Sequence, residues 1–242
     1  SKNVIKKFLT FAICICISGP LFSKSFRIVI DPGHGGKDVG AVRDSFVESK
    51  IVLEISKKLK HELQQLQITD VILTREKDEN ISLKERVRQA NALGANLFVS
   101  LHANTSIQKT LSGMEFYFNS PERAMEVENP PPIEPTNNDV VDQIKKDFKF
   151  YEKTEKSLLL SKTMQNSALL SDQKSVIKRT PFYVIDNTEM PSILIELGFI
   201  SNRREAQKLT NPEYQHELAK LIAQALINYK EKSDKSRAVI EK

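Results

Sequence analysis

Cysteine is almost missing from this 242-residue chain. It has only Cys14 and Cys16, and both lie in an apolar run, residues 8–18, that follows Lys2, Lys6 and Lys7. A basic stretch, a short apolar stretch and the small residue Ser23 together make a secretory signal over residues 1–23, removed after Ser23. The alternative is an uncleaved anchor, although the run is short for a bilayer span. Neither cysteine sits in a good lipobox. Once the signal is gone no cysteine is left, so the exported protein needs no disulfide framework and has no thiol nucleophile. No stable membrane span is expected after cleavage.

An excess of one charge is also lacking. The formal charge of the whole chain is +5. Residues 24–242 hold 33 basic and 31 acidic residues, a net charge of +2. A balance this near neutral gives no support to a nucleic-acid partner. The chain has no G-x-S-x-G, no G-x-x-x-x-G-K-[ST], and no G-x-G-x-x-G opening a helix, so a serine nucleophile elbow and the common phosphate cradles are excluded. No internal repeat occurs at solenoid periods. What remains is an ordinary globular composition, 40% hydrophobic and 28% charged, of a length that suits one domain.

Six runs read as strands: residues 26–30, 71–75, 97–101, 114–118, 182–185 and 193–197. Several are apolar with little alternation, as in strands buried on both faces. Helical patterns lie between them. Val52, Ile55, Leu59, Leu63 and Leu66 form one stripe. Ser82 and Glu85 form a capping box before a helix with Leu83, Val87 and Ala90 inward. Asn211 and Pro212 open a last helix whose apolar face is Tyr214, Leu218, Leu221, Ile222 and Ala225. This alternation predicts a single α/β domain over residues 24–230, with a mainly parallel, twisted, six-stranded sheet flanked by helices on both faces. Residues 119–154 break the rhythm. They contain Pro130, Pro131, Pro132 and Pro135, then a charged helical pattern from Asp139, and read as an insertion in the fold. Residues 231–242 read as a frayed polar tail.

Two of the four histidines directly follow apolar strands. His34 lies in Asp31-Pro32-Gly33-His34-Gly35-Gly36, and His102 in Ser100-Leu101-His102-Ala103-Asn104. Ligands gather at the carboxyl ends of strands in parallel α/β sheets, so the pair points to a shared site. His61 and His216 sit in helical, polar surroundings and read as solvated. A catalytic zinc commonly takes two histidines, one carboxylate and an open fourth position. Glu48 is the best third ligand, because it lies four residues before Val52 on the buried stripe. On pattern alone it could equally serve only the helix N-terminus. Glu54 and Glu62 fall off the stripe. Glu196 ends a strongly apolar strand, where a carboxylate is costly unless paired or bound. It reads as a general base beside a metal, as a structural ion pair or as a protonated core carboxyl.

These stretches, with Leu73-Thr74-Arg75, Ser82-Leu83-Lys84-Glu85-Arg86, Pro181-Phe182-Tyr183-Val184 and Ile195-Glu196-Leu197-Gly198-Phe199-Ile200-Ser201-Asn202, resemble the zinc-dependent N-acetylmuramoyl-L-alanine amidases of bacterial cell walls. The resemblance covers nearly all of residues 26–229. It implies that His34, Glu48 and His102 hold Zn2+, that Glu196 is catalytic, and that the substrate is the amide joining N-acetylmuramic acid to L-alanine in peptidoglycan. It implies a protein of the periplasm or exported to the cell envelope, serving wall remodelling, septum splitting and cell division. Zinc with three protein ligands activates water near neutral pH, and Glu196 would shuttle the proton. A wall-binding module without catalysis and another wall peptidase on the same metal remain as alternatives. Some family members carry an inserted helix that blocks the site until an activator moves it. Here Val140, Val141, Ile144, Phe148 and Tyr151 form an apolar helix face. A blocking carboxylate would come from Asp139, Asp142 or Asp147, or from Glu122, Glu126, Glu128 or Glu134. The other reading is a surface helix that only shapes the groove.

Overall fold

A computed structural model describes residues 25–119 and 137–240. The expected signal and the proline-rich segment with its four glutamates lie outside the described residues. Among the described residues eight strands and six helices follow one another. β1 is Ile28–Pro32, and β2 (Val42–Arg43) and β3 (Phe46–Val47) form a small hairpin. Then come α1 (Glu48–Gln65), β4 (Val71–Leu73), α2 (Leu83–Ala92), β5 (Leu97–Asn104) and β6 (Met114–Phe118). The rest are α3 (Asn137–Leu170), β7 (Ser175–Arg179), α4 (Tyr183–Asn187), β8 (Ser192–Phe199), α5 (Arg203–Thr210) and α6 (Pro212–Ile240).

The main sheet has six strands in the order β4-β1-β5-β8-β6-β7. β4, β1, β5 and β8 are mutually parallel, while β6 runs antiparallel to β8 and parallel to β7. Alternate side chains point to opposite faces. On one face Ile28, Ile30, Val99, Leu101, Phe116, Ile193 and Ile195 pack with α1, α3 and α6. On the other Val29, Phe98, Tyr117 and Leu194 pack with Val87 and Ala90 of α2 and Val184 and Ile185 of α4. The expected α/β domain with helices on both faces is thus present.

Several local expectations need correction. Residues 182–185 are not a strand: Phe182 caps the five-residue α4, which buries Val184 and Ile185. A short apolar run carries no period long enough to separate helix from strand. The sixth strand is β7, SVIKR, whose half-exposed edge position tolerates Lys178 and Arg179. Leu83 points outward, 55% exposed, and Leu66 at the end of α1 is also exposed. Ser82 accepts from the Glu85 backbone N–H, but the Glu85 carboxylate turns to Arg88 and Gln89, so only half of the capping box forms. Asn211 caps α6 as expected, accepting from Glu213 and Tyr214. That helix runs on to Ile240, where a frayed tail was expected.

The helical pattern from Asp139 is the first half of one continuous 34-residue helix, α3. Its second half belongs to the core, with Leu160, Met164 and Ala168 fully buried. The division falls at Lys153 and Thr154. The Lys153 ammonium donates to the Ile185 and Asp186 carbonyls at 2.6 and 3.1 Å and to that of Thr188, and burial pulls its pKa down to about 8. Ser157 accepts from the Ser192 backbone N–H at 3.0 Å, which sets this part of α3 level with the start of β8. Residues 137–152 therefore project beyond that end of the sheet, by about 24 Å at 1.5 Å per residue. Val140, Val141, Ile144, Phe148 and Tyr151 on this projection are all exposed. Among the described residues no helix is long and apolar enough to cross a membrane.

The two halves of α3 should respond differently to truncation. Leu160→Ala is expected to cost about 2–5 kcal/mol in denaturant unfolding. Ile144→Ala should stay within about 0.5 kcal/mol. Equal losses would show that the projecting half is also packed.

Candidate metal centre and active site

The centre forms where β1 and β5 end and α1 begins. β1 runs into the turn carrying His34, which has φ of 57°, a left-handed conformation that is rare for a residue with a side chain. Two buried arginines hold this turn. Arg75 donates to the Pro32, Gly33 and Ser49 carbonyls at 2.7–2.9 Å. Arg86 donates to the carbonyls of Pro32 and His34 at 2.7 and 2.6 Å and pairs with Asp31 at 2.6 Å. Asp31 also accepts from Thr74 at 2.6 Å and Ser100 at 2.8 Å. Two glycines make room. A Cβ on Gly33 would overlap the His102 ring, and one on Gly40, at φ of 67°, would lie 2.5 Å from a Glu48 oxygen.

Glu48, the first residue of α1, is buried. Its Oε2 accepts from the Ala41 N–H at 2.8 Å and its Oε1 from the Ala103 N–H at 3.0 Å. The same Oε1 lies 3.1 Å from His34 Nε2 and 3.0 Å from His102 Nδ1. One ligand atom from each of these residues falls within 4.8 Å of the others, and this is the trio that the sequence pointed to. Two imidazole nitrogens and a carboxylate oxygen are the donor set of a catalytic zinc. Asp38, which sequence reasoning gave no role, holds His34 Nδ1 at 2.9 Å and so turns Nε2 toward the centre.

The electrostatics fit a cation. Burial alone would pull the His34 imidazole down, but Glu48 and then Asp38 outweigh it and raise its pKa to about 9. Burial alone would raise Glu48, but its bonds to His102 and His34 hold it well below the usual carboxylate range. His61 and His216 are exposed helical residues outside the centre, as expected; His216 is 3.5 Å from Glu62. Exposed Glu54 pairs with Lys57.

Glu196 lies opposite His102 in the β5–β8 ladder, on the same face of the sheet. Its Oε2 is buried and makes no hydrogen bond. Burial, then the charges of Glu48 and Glu115, push its pKa up to about 8. Glu115 is a second group that sequence reasoning missed. It faces Glu196 across the β6–β8 ladder and accepts from Asn104 at 2.8 Å, Tyr117 at 2.6 Å and Lys178 at 2.6 Å. The available signal was a lone carboxylate in the apolar run Met-Glu-Phe-Tyr-Phe, the same kind of signal that marked Glu196. On the other side of the histidines a cavity of about 280 Å³ is lined by Asp31, Asn80, Ser82, Arg86 and Val184. A larger hollow of about 500 Å³ beside Lys146, Lys149 and Lys153 contains none of these groups.

A parallel α/β core thus carries two histidines and a carboxylate at its strand ends, placed so that they could hold a metal ion, with a second carboxylate alongside. The comparisons make this specific. The family model for N-acetylmuramoyl-L-alanine amidase matches residues 28–228. The chain is 33% identical over 223 residues to the uncharacterized protein YqiI of Bacillus subtilis, covering 91% of this chain and 92% of that one. An N-acetylmuramoyl-L-alanine amidase of Clostridium difficile 630 superimposes with a TM-score of 0.68 at 28% identity, over 86% of this chain and 98% of that one. The CwlD amidase of Clostridioides difficile, solved in complex with the GerS lipoprotein, gives 0.66 at 28% identity over 84% and 97%. The chain belongs to the N-acetylmuramoyl-L-alanine amidase family.

The Asp31–Arg86 pair is the support most open to test. Arg86→Ala leaves a buried carboxylate uncompensated, and a loss of about 3–5 kcal/mol is expected in urea unfolding. A loss below about 1 kcal/mol would assign the positioning of the turn to Arg75 alone.

Proposed function

We propose that His34, Glu48 and His102 bind Zn2+ and that Glu196 is the catalytic base and acid in cleavage of the amide between N-acetylmuramic acid and L-alanine of peptidoglycan. The observation that carries this reading is the convergence of three ligand atoms next to a buried carboxylate oxygen with no partner of its own. Zinc, when bound, supplies Lewis-acid activation of water and of the amide carbonyl. Glu196 accepts a proton as water adds to the carbonyl carbon and passes it to the leaving alanine nitrogen. Burial favours its protonated form, which suits donation, and a cation held by Glu48 would offset part of the Glu48 repulsion. Asp38 fixes the His34 ring. The proposed setting is the cell envelope, reached through the signal over residues 1–23, with roles in wall remodelling and septum splitting during cell division.

Glu196→Gln is expected to keep fold and zinc and to lower turnover by roughly 10²–10⁴. His34→Ala or His102→Ala should lose metal and activity together. Zinc must displace the proton that His34 holds up to about pH 9. Its affinity should therefore rise with pH up to that value and fall as pH drops. Full activity in chelator-stripped protein would refute the zinc assignment. Mass spectrometry of digested muropeptides identifies the bond cut and separates an amidase from a peptidase or a binding module.

The same reading extends to a partner. A relative is solved with a lipoprotein bound, and the projecting half of α3 offers five exposed apolar side chains. We assign this face to an activator protein. We propose further that the described helix shapes a docking face and does not block the site. It projects from the end of the sheet where β8 begins, whereas Glu196 lies further along that strand. Asp142 and Asp147 are bonded within the helix, to Lys145 and Gln143. Replacing residues 122–150 by a Gly/Ser linker should leave release of stem peptides from isolated wall unchanged and abolish activator binding. A faster enzyme after the replacement would establish a blocking role.

A further inference from the structure

The groove has two chemically different ends. Toward β4 it closes into the cavity of about 280 Å³ under α2. Toward β7 it runs over the buried Glu115 and Tyr117 to the edge of the sheet. One row of side chains crosses that floor in register: His102 on β5, Glu196 on β8 and Glu115 on β6. Lys178 stands next, on β7 opposite Tyr117. Its ammonium lies 5.6 Å from the Tyr117 ring centroid and reaches back to Glu115 Oε1. The Lys178 side chain is still 46% exposed, and Val176 beside it is 45% exposed.

The Glu115 carboxylate is well supplied with donors. Oε2 takes Asn104 and Tyr117, so Oε1 is left to fix Lys178. An ammonium has three protons. One goes to Glu115, and the half-exposed side chain leaves the others open to a further acceptor. The pair is neutral overall, and it places a half-exposed ammonium, held in place from beneath, near the edge of the sheet.

We propose that Lys178, positioned by Glu115, is a subsite for a free carboxylate on the second residue of the leaving peptide. This rests on the amidase reading above. If Glu196 protonates the leaving nitrogen, that nitrogen lies on the β8 side of the histidines. The sugar acyl group then occupies the closed cavity, and the peptide runs outward over β6 and β7. Strands are about 4.8 Å apart, so the Lys178 ammonium, drawn back over β6, lies about one strand spacing beyond Glu196. A carboxylate one residue past the scissile nitrogen is separated from it by a comparable length of extended chain.

The test uses the zinc-loaded chain and two N-acetylmuramoyl peptides that differ only at the second residue, one with a free carboxylate and one with its amide. The free acid should be cut with kcat/KM about tenfold higher, through KM, as expected for a charge-assisted hydrogen bond in a partly exposed site. Lys178→Met should bring the ratio to near one by raising KM for the acid, and Lys178→Arg should keep most of the preference. Equal kcat/KM for acid and amide in the unmodified protein overturns the subsite and leaves the amidase reading standing. A Lys178→Met variant that loses kcat equally on both substrates also overturns it, and assigns the lysine to support of the sheet. Failure to cut either substrate overturns the amidase reading and the subsite with it.

Discussion

Four groups from two other parts of the chain converge on the carboxylate of Glu48. The Ala41 and Ala103 N–H groups, His34 and His102 all reach it. A buried carboxylate without such partners would carry a large desolvation cost. With them, it ties the turn after β1, the start of α1 and the end of β5 to a single point. The rest of the site is arranged to keep those three elements there. Arg75 and Arg86 fill the carbonyls of the turn, Asp31 balances Arg86, and the missing side chain at Gly33 lets the His102 ring close in.

The site is polar and charged inside a domain whose two cores are apolar. Asp31 and Arg86 neutralise each other, and Glu115 is matched by Lys178, but Glu196 has no counter-charge in contact. That imbalance is a cost to folding, and it sits at the strand position where proton transfer would take place. Local cost at a functional position is offset by the surrounding structure, here by β8 itself, which is buried along almost its whole length.

Much of this was legible in the sequence because it depended on local pattern. A histidine after an apolar strand, a glutamate on the stripe of a helix and a glutamate in an apolar strand each break a period, and each marked a residue of the site. The α1 stripe and the Asn211 cap were equally local. What was not legible depended on partners far along the chain. Glu115 and Lys178 are 63 residues apart and meet only because β6 and β7 pair in one particular register. Asp38 matters through the tight turn that brings it under His34. β7 gives no clear signal because an edge strand need not alternate cleanly, and residues 182–185 are ambiguous because four apolar residues fit either period. The division of α3 into packed and projecting halves follows from where the sheet ends, which no helical periodicity encodes.

The direction of two strands decides how the groove can be entered. Parallel neighbours are joined by helices that must cross over a face of the sheet. The helix joining β6 to β7 is α3, and it packs on the face away from the site. The floor beside Glu196 is therefore closed under α2 at one end and, among the described residues, ends in the half-exposed Lys178 and Val176 at the other. A long polymer can be laid into such a trough from the side, at any point along its length. A tunnel would accept only a free end and would hold the polymer until it had been threaded through. Among the described residues nothing closes the Lys178 side into a tunnel, so the proposed polymer would need no free end to reach Glu196.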